Sequence, residues 1–387
     1  MNLKIEQIKN RCTGCMACYN ECPVDAILME ENKEGFHYPA VNYDECIDCK
    51  LCDAVCPELC INELKKTENV KKAFYGWHKN DDIRLQSSSG GLFTAFAEFI
   101  LENQGVIYGA VYDFSLKMVI HKSTDKVSLD VLRKSKYVQS YIGNVFQSVK
   151  KKLKEDRYVM FVGTPCQAAG LKLYLKKKYD KLLLCDFICH GVPPMKLLNE
   201  YIIMLEKKYR SEHVGYDFRP KTSGWTAQVF KCNFKNGKVF TSSARFVGYL
   251  NCFYQNFSLR KSCYECSYCN NQHDSDITLA DYWGYKKYKP EIYDDKGLSL
   301  LLVNTDKGIS FLSEIPIESV TINPLAWKYA EYVFKKRDTE CYNIKKRNAF
   351  FNYYLSHGYK SVIRKFKLEG RFVAKVKYGI KKLLRSN

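Results

Sequence analysis

Two stretches near the N-terminus repeat one arrangement of thiols: "CTGCMACYNECPVDAI" from Cys12 and "CIDCKLCDAVCPELCI" from Cys46. Cysteines two residues apart reach one metal centre, and a third at the same interval wraps the loop so that three thiolates face inward. In a C-x2-C-x2-C-x3-C-P run the last cysteine of each copy crosses to the other copy's cluster. The duplication therefore predicts two [4Fe-4S] clusters, one on Cys12, Cys15, Cys18 and Cys56, the other on Cys46, Cys49, Cys52 and Cys22. Pro23 and Pro57 turn the chain after each fourth cysteine. Zinc is the competing reading, but zinc knuckles rarely show this arrangement twice in register.

Further thiols stand alone or in a triplet. In "FVGTPCQAAGLK" an apolar run stops at Gly163, Thr164 and Pro165, shows Cys166, and restarts as a helix; "FICHGVPP" puts Cys189 at the end of a second apolar run. If both runs are strands of one parallel sheet, their carboxyl ends open on the same edge, where α/β folds build their sites. "SCYECSYC" adds Cys263, Cys266 and Cys269. Alone, this triplet is a zinc knuckle or half of a ferredoxin-like loop; with Cys166 and Cys189 it completes a four-thiolate site. Cys60, Cys185, Cys232, Cys252 and Cys341 have no spacing that demands a metal and are expected to serve packing.

The elements that must hold these thiols follow from texture. Residues 1–65 carry nine of the 18 cysteines and form an α+β ferredoxin-like domain. Residues 73–325 alternate β-rich runs ("GVIYGAVYD", "YVMFVG", "KLLLCDFIC", "LSLLLVNT") with helical periods, which predicts an α/β body with a mixed sheet. Inside it, the Asn236-Gly237 turn of "VFKCNFKNGKVFTSS" predicts a hairpin and hence a β insertion. Residues 326–387 turn to Tyr, Phe, Lys and Arg at helical spacing, a basic C-terminal extension in which Gly370 and Gly379 weaken the helix.

The formal charge is +19, and from Lys360 to Arg385 there are ten basic residues against one acid, Glu369. The stripe Val362, Ile363, Phe366, Val373, Val376, Ile380, Leu383 and Leu384 between those cations is expected either to lie on an anionic membrane or an acidic partner, or to pack on the body. No nucleic-acid recognition motif accompanies the charge. The N-terminus lacks a secretory hydrophobic region and no run approaches about 18 apolar residues. A cytoplasmic, reducing compartment is expected, with peripheral placement at the inner face of the membrane through the basic tail.

Residues 8–62 resemble bacterial two-[4Fe-4S] ferredoxins. "SSSGGLFTAFAEFIL", "GTPCQAAGLK", "CHGVPP", "FRPKTSGW", "SCYECSYC" and "SDITLADYWG", in that order behind such a domain, resemble the coenzyme F-420 hydrogenase/dehydrogenase beta-subunit family. The resemblance implies an iron-sulfur flavoprotein: FAD in the α/β body, a [4Fe-4S] centre near it, and two-electron exchange with a deazaflavin or similar carrier. It also implies that Cys166, Cys189, Cys263 and Cys266 hold this third cluster, with Cys269 in reserve. Related chains occur where coenzyme F-420 is not expected, some tied to surface-polysaccharide synthesis, so the resemblance leaves the organic substrate open.

A flavin suits such a chain because it accepts a hydride and releases single electrons. Ser88, Ser89, Gly90 and Gly91 precede a helix and can offer N–H groups to a pyrophosphate, although Ser88 or Ser89 can equally be a plain N-cap. Thr164 and Gln167 are expected at the flavin edge, and Arg219 and Lys221 at phosphate or reduced flavin, with Trp225 stacking. No G-x-G-x-x-G run marks an ordinary nicotinamide fold. Asp281 suits a cap or a substrate contact, and His190 a backbone bond or proton transfer; no catalytic acid or base is assigned. Three alternatives stay open: an electron-transfer subunit serving a separate catalytic partner, a zinc-stabilised nucleic-acid binder, and a redox dithiol made of Cys166 and Cys189.

Overall fold

The computed structural model describes residues 3–64, 70–125, 129–334 and 343–369. The N-terminal module holds an antiparallel pair, β1 (Ile27–Glu31) with β2 (His37–Val41), and two matching cysteine loops. Each loop bends twice through left-handed backbone, at Gly14 (φ 70°) and Met16 (φ 63°) in the first and at Asp48 (φ 51°) and Lys50 (φ 59°) in the second. A short helix follows each bend, Ala17–Glu21 and Leu51–Ala54. The duplication thus extends to the backbone, and such curls aim thiols and amide N–H groups at one point.

The body is built on one large sheet of β3 (Lys72–His78), β4 (Val106–Asp113), β5 (Met118–Thr124), β6 (Val159–Val162), β7 (Leu182–Phe187), β11 (Ile277–Asp281), β12 (Ser299–Val303) and β13 (Val320–Leu325), the intervening labels β8 (His213–Asp217), β9 (Val229–Phe234) and β10 (Val239–Ser243) belonging to a separate three-stranded sheet. Across the large sheet the order is β13-β3-β12-β11-β7-β6-β4-β5. Strands β11, β7, β6 and β4 run parallel, and antiparallel pairings flank them on both sides.

The apolar runs are continuous because both faces are covered. Val159 and Phe161 of β6, with Leu182 and Leu184 of β7, pack beneath the helices Val145–Lys154 and Pro165–Leu175; the alternate residues Met160, Leu183 and Cys185 pack on the opposite face with the helix Leu92–Glu102. Cys15, Met16, Ala17 and Val55 of the N-terminal module join the first of these cores, so the cysteine loops rest directly on the body. Strands β9 and β10 form the expected hairpin at Gly237 (φ 77°).

The C-terminal helix Ile344–Lys365 takes the second of the two alternatives for the stripe and packs on the body. It breaks at Gly358 (φ 75°, ψ 172°), and Phe350, Phe351, Tyr354, Tyr359, Val362 and Ile363 are buried against the insertion and the helix Met195–Tyr209. Val362 and Ile363, the first members of the basic stripe, therefore face protein, because the aromatic spacing upstream gives the helix a core to join. The remainder of the stripe from residue 370 and Cys341 lie outside the described residues. Among the described residues no helix is long and apolar enough to cross a membrane.

Candidate redox site

In the N-terminal module, burial first and then the charges of Cys56 and Cys12 push the Cys15 thiol up to about 12. Cys18 is raised by burial and then by Cys15, Cys12, Cys56 and Cys52. Cys12, Cys15, Cys18 and Cys56 therefore face one another as a group. Cys22, Cys46 and Cys52 share one core with Cys12, Cys18 and Cys56, and Cys52 rises to about 12 through burial, then Asp53, with a smaller push from Cys49. The Cys22 Sγ accepts from the Ala26 amide at 3.2 Å, and Cys49 is exposed at the outer end. Thiols crowded in this way cannot all ionise beside each other without a cation. Two all-thiolate sets fit iron-sulfur clusters.

The body thiols come together at the seam. Cys166 is the second residue of the helix Pro165–Leu175, capped by a reciprocal pair: Thr164 is the N-cap and Gln167 Oε1 accepts from the Thr164 amide at 2.9 Å. This puts Cys166 at the positive end of the helix dipole, which favours thiolate. Burial nevertheless pushes its thiol up, Thr164 Oγ1 at 3.2 Å pulls down, and Cys189, Cys15 and Cys263 push up again. Cys266 shares a small apolar cluster with Cys166, Ala169 and Tyr268. Cys189 follows β7 on the same carboxyl edge as Cys166, and a Cβ on Gly191 would stand 3.3 Å from the Cys263 Cβ. Cys166, Cys189, Cys263 and Cys266 thus converge from three segments, and their donor chemistry fits a further cluster. Cys269 turns its thiol back to the Cys266 carbonyl at 3.1 Å.

A residue without a side chain makes this close approach possible. Gly170 lies one helical turn beyond Cys166, and a Cβ there would meet Cys15 Sγ at 3.0 Å. A glycine inside a helix is the sequence signal of such close approach. Cys185, Cys232 and Cys252 are buried in the cores, as expected of packing residues, and Cys60 donates to the Ala54 carbonyl at 3.4 Å.

Beside the seam a cleft of about 950 Å³ opens along the carboxyl ends of the parallel strands. Ser88, Ser89, Gly91, Thr164, Gln167, Cys189 and Arg219 line it. Gly91 (φ 90°) is the N-cap of the helix Leu92–Glu102 and brings no side-chain cap, leaving the first turn, Leu92 and Phe93, at the cleft. Neither serine caps the helix: Ser88 Oγ accepts from the Ser135 amide at 2.8 Å and Ser89 Oγ donates to the Leu298 carbonyl at 2.6 Å. Arg133, Lys134, Lys136 and Arg245 line the cleft too, but Arg133 is paired with Asp130 and Lys134 with Asp217, and the Lys136 amine donates to the carbonyls of Val131, Leu132 and Arg133. The long cleft and the small-residue helix start fit a dinucleotide such as FAD.

Five of the expected flavin contacts have other partners. Lys221 donates to the carbonyls of Arg84 and Lys296, each at 2.6 Å, and to that of Ser89, so its ammonium ties the serine loop from behind. Gly90 is held off the cleft by packing, since a Cβ there would strike the Gly76 carbonyl at 2.5 Å. Arg219 faces the cleft but is paired with Asp281, whose other oxygen accepts from Trp225 Nε1 at 3.2 Å. Trp225 is buried and stacks on Trp283 at 4.4 Å. Gln167 Nε2 reaches Ser140 Oγ at 3.2 Å, so both ends of its amide serve the helix cap and its neighbour. His190 lies edge-on to Phe253 at 4.8 Å.

Fold and thiol geometry together define a dicluster ferredoxin module seated on an α/β redox domain. Residues 11–60 match the 4Fe-4S dicluster domain, and residues 156–324 match the C-terminal region of the coenzyme F420 hydrogenase/dehydrogenase beta subunit. The body of the chain thus carries the region shared with coenzyme F420 hydrogenase/dehydrogenase beta subunits, with a 4Fe-4S dicluster domain in front. It is 24% identical to a coenzyme F420-dependent sulfite reductase of Methanocaldococcus jannaschii over 91% of this chain and 53% of that protein. It is 26% identical to one of the F(420)H(2) dehydrogenase subunits of Methanosarcina mazei over 45% of this chain and 51% of that one. The chain thus spans about half the length of these relatives. A chain of the F420-reducing [NiFe] hydrogenase complex from Methanosarcina barkeri aligns with a TM-score of 0.48 at 15% identity, over 74% of this chain and 93% of that chain.

Proposed function

We propose that this protein is an iron-sulfur flavoprotein oxidoreductase that joins one-electron carriers at its ferredoxin module to a hydride-exchanging substrate, organic or deazaflavin, in the cleft. The observation that carries the reading is the meeting of Cys166, Cys189 and Cys263 with Cys15 of the N-terminal module, at the strand edge where the cleft opens. When bound, three [4Fe-4S] clusters supply single-electron steps and FAD supplies hydride exchange. The chain's own residues do the positioning. The helix beginning at Thr164 presents Cys166 to the seam, and the loop after β7 presents Cys189 to the same place. The division at residues 1–65, 73–325 and 326–387 belongs to this proposal, with the C-terminal helix bracing the other two parts: Arg347 pairs with Glu34 of the module and donates to the Leu259 carbonyl at 2.8 Å.

Exposed Cys49 marks the outer end of the thiol series, where a redox partner protein would exchange electrons. Because the chain spans only half of its relatives, a second reading has it deliver electrons to a separate catalytic partner. The test is anaerobic purification with iron, sulfide and flavin measured per chain. About twelve irons with stoichiometric FAD support the proposal; about eight irons and no flavin refute it. Turnover of reduced deazaflavin by the isolated chain excludes the second reading.

A further inference from the structure

Arg260 is fully buried, and among the described residues no carboxylate lies within ion-pair distance of it. Its guanidinium is instead directed at the first cysteine loop. Nε donates to the Cys12 carbonyl at 2.7 Å, and Nη2 donates to the Cys12 sulfur at 3.6 Å and to the His37 carbonyl at 2.8 Å. Nη1 donates to Gln139 Oε1 at 3.1 Å, while Gln139 Nε2 donates to the Thr13 carbonyl at 3.0 Å. The plane lies over Tyr38 at 4.1 Å from the ring centroid. A cation removed from water without a counter-charge is costly, and truncating either partner of such a site is more so. The group it faces is the Cys12 sulfur, which carries negative charge when it ligates a cluster.

We propose that Arg260 raises the reduction potential of the cluster held by Cys12, Cys15, Cys18 and Cys56, the one nearest the body. This rests on the reading of Cys12 as a cluster ligand. Adding an electron to a thiolate-held cluster adds negative charge, and a fixed cation hydrogen-bonded to one of its sulfurs stabilises the reduced form more than the oxidised. The other set, Cys22, Cys46, Cys49 and Cys52, ends at exposed Cys49 and lies toward water. Two clusters with equivalent loops are thereby made inequivalent, the inner one standing at a higher potential than it would without the cation. Arg260 precedes Cys263 by three residues and its carbonyl accepts from the Cys263 amide at 3.0 Å, so one short segment both tunes the inner cluster and feeds the body site.

The experiment is an anaerobic redox titration followed by electron paramagnetic resonance on the full chain, comparing wild type with Arg260→Gln and Arg260→Lys. Arg260→Gln is expected to change the reduced-to-oxidised ratio of one N-terminal signal at least tenfold at fixed potential, a midpoint lower by about 59 mV or more, with the other signals unmoved. Arg260→Lys keeps the cation and should fall between. Equal midpoints in all three proteins overturn the inference, as does iron loss in the variants with an unshifted midpoint in the clusters that remain. On wild type labelled with ¹⁵N-arginine, a nitrogen coupling to one reduced cluster is expected, and its absence also overturns the proposal. A wild type without N-terminal cluster signals refutes the ligand reading itself, a separate and recognisable result.

Discussion

Gly170 gives the sharpest test of how the ferredoxin module is seated. In Gly170→Ala the new Cβ stands 3.0 Å from Cys15 Sγ, 3.2 Å from its Cβ and 3.5 Å from the Ala17 Cβ. Replacing a helix-interior glycine by alanine stabilises the helix by about 1 kcal/mol, whereas forcing a methyl into a packed contact costs about 1–3 kcal/mol. The two nearly cancel for alanine, so its melting temperature should barely move while the Cys15 loop gives by a few tenths of an ångström. Gly170→Val adds branching and further volume at the same contact, and the overpacking wins by about 2 kcal/mol. With the three clusters placed as proposed, Cys15 holds the inner one, and the expected loss in Gly170→Val is up to about a third of the iron, the other two clusters being retained. Iron per chain, with the magnetic interaction between reduced clusters read by electron paramagnetic resonance, is the assay. A valine variant with full iron, unchanged cluster interaction and unchanged thermal stability would refute the argument that this glycine sets the distance between module and body.

Removing the Lys221 ammonium in Lys221→Met strands carbonyls of Arg84, Ser89 and Lys296 and should cost about 2–4 kcal/mol, seen as a lower urea midpoint with flavin absent or present. A normal midpoint with weakened flavin binding would restore it as a ligand contact. Arg347→Met leaves Glu34 unpaired at a site where the arginine is fully buried and should cost about 3–5 kcal/mol, with faster protease release of the N-terminal module; wild-type cleavage rates would count against the clamp. His121 is buried, its Nε2–H donating to the Val162 carbonyl at 3.0 Å, and burial lowers its pKa to about 4. The unfolded chain protonates it near its ordinary value of 6.5. Its contribution is therefore present above that value and is lost as pH falls toward 4, by about 3 kcal/mol across the window. Denaturation of the apo-chain at stepped pH should show this slope, and His121→Gln should flatten it; equal slopes would show the ring to be no source of acid sensitivity.

Much of the site was legible because its signals are local. A C-x2-C-x2-C loop is closed by its own residues, so the two thiol sets, down to the matching left-handed bends at Met16 and Lys50, follow from a repeat written in the chain. The apolar runs ending at Thr164 and Cys189 announced strands, and the Asn236-Gly237 turn announced the hairpin. Where one long side chain faced several equivalent partners, local text was silent. Lys221 could address a phosphate or a carbonyl, and the return of residues 294–298 behind the serine loop decided for carbonyls. Val362 and Ile363 had the spacing of a membrane-seeking stripe, and the aromatic face of the same helix decided for the core.

The sequence by itself determined the ligand chemistry, the duplicated thiol loops and the alternation of strands and helices, since each depends on residues within a turn or two of one another. Tertiary structure alone decided that Arg260 faces the Cys12 sulfur, that Gly170 admits Cys15 beside the Cys166 helix, and that Arg347 meets Glu34. Those pairs are far apart along the chain, and a buried charge or a missing side chain has no periodicity. Its meaning comes from whichever distant surface packing brings against it.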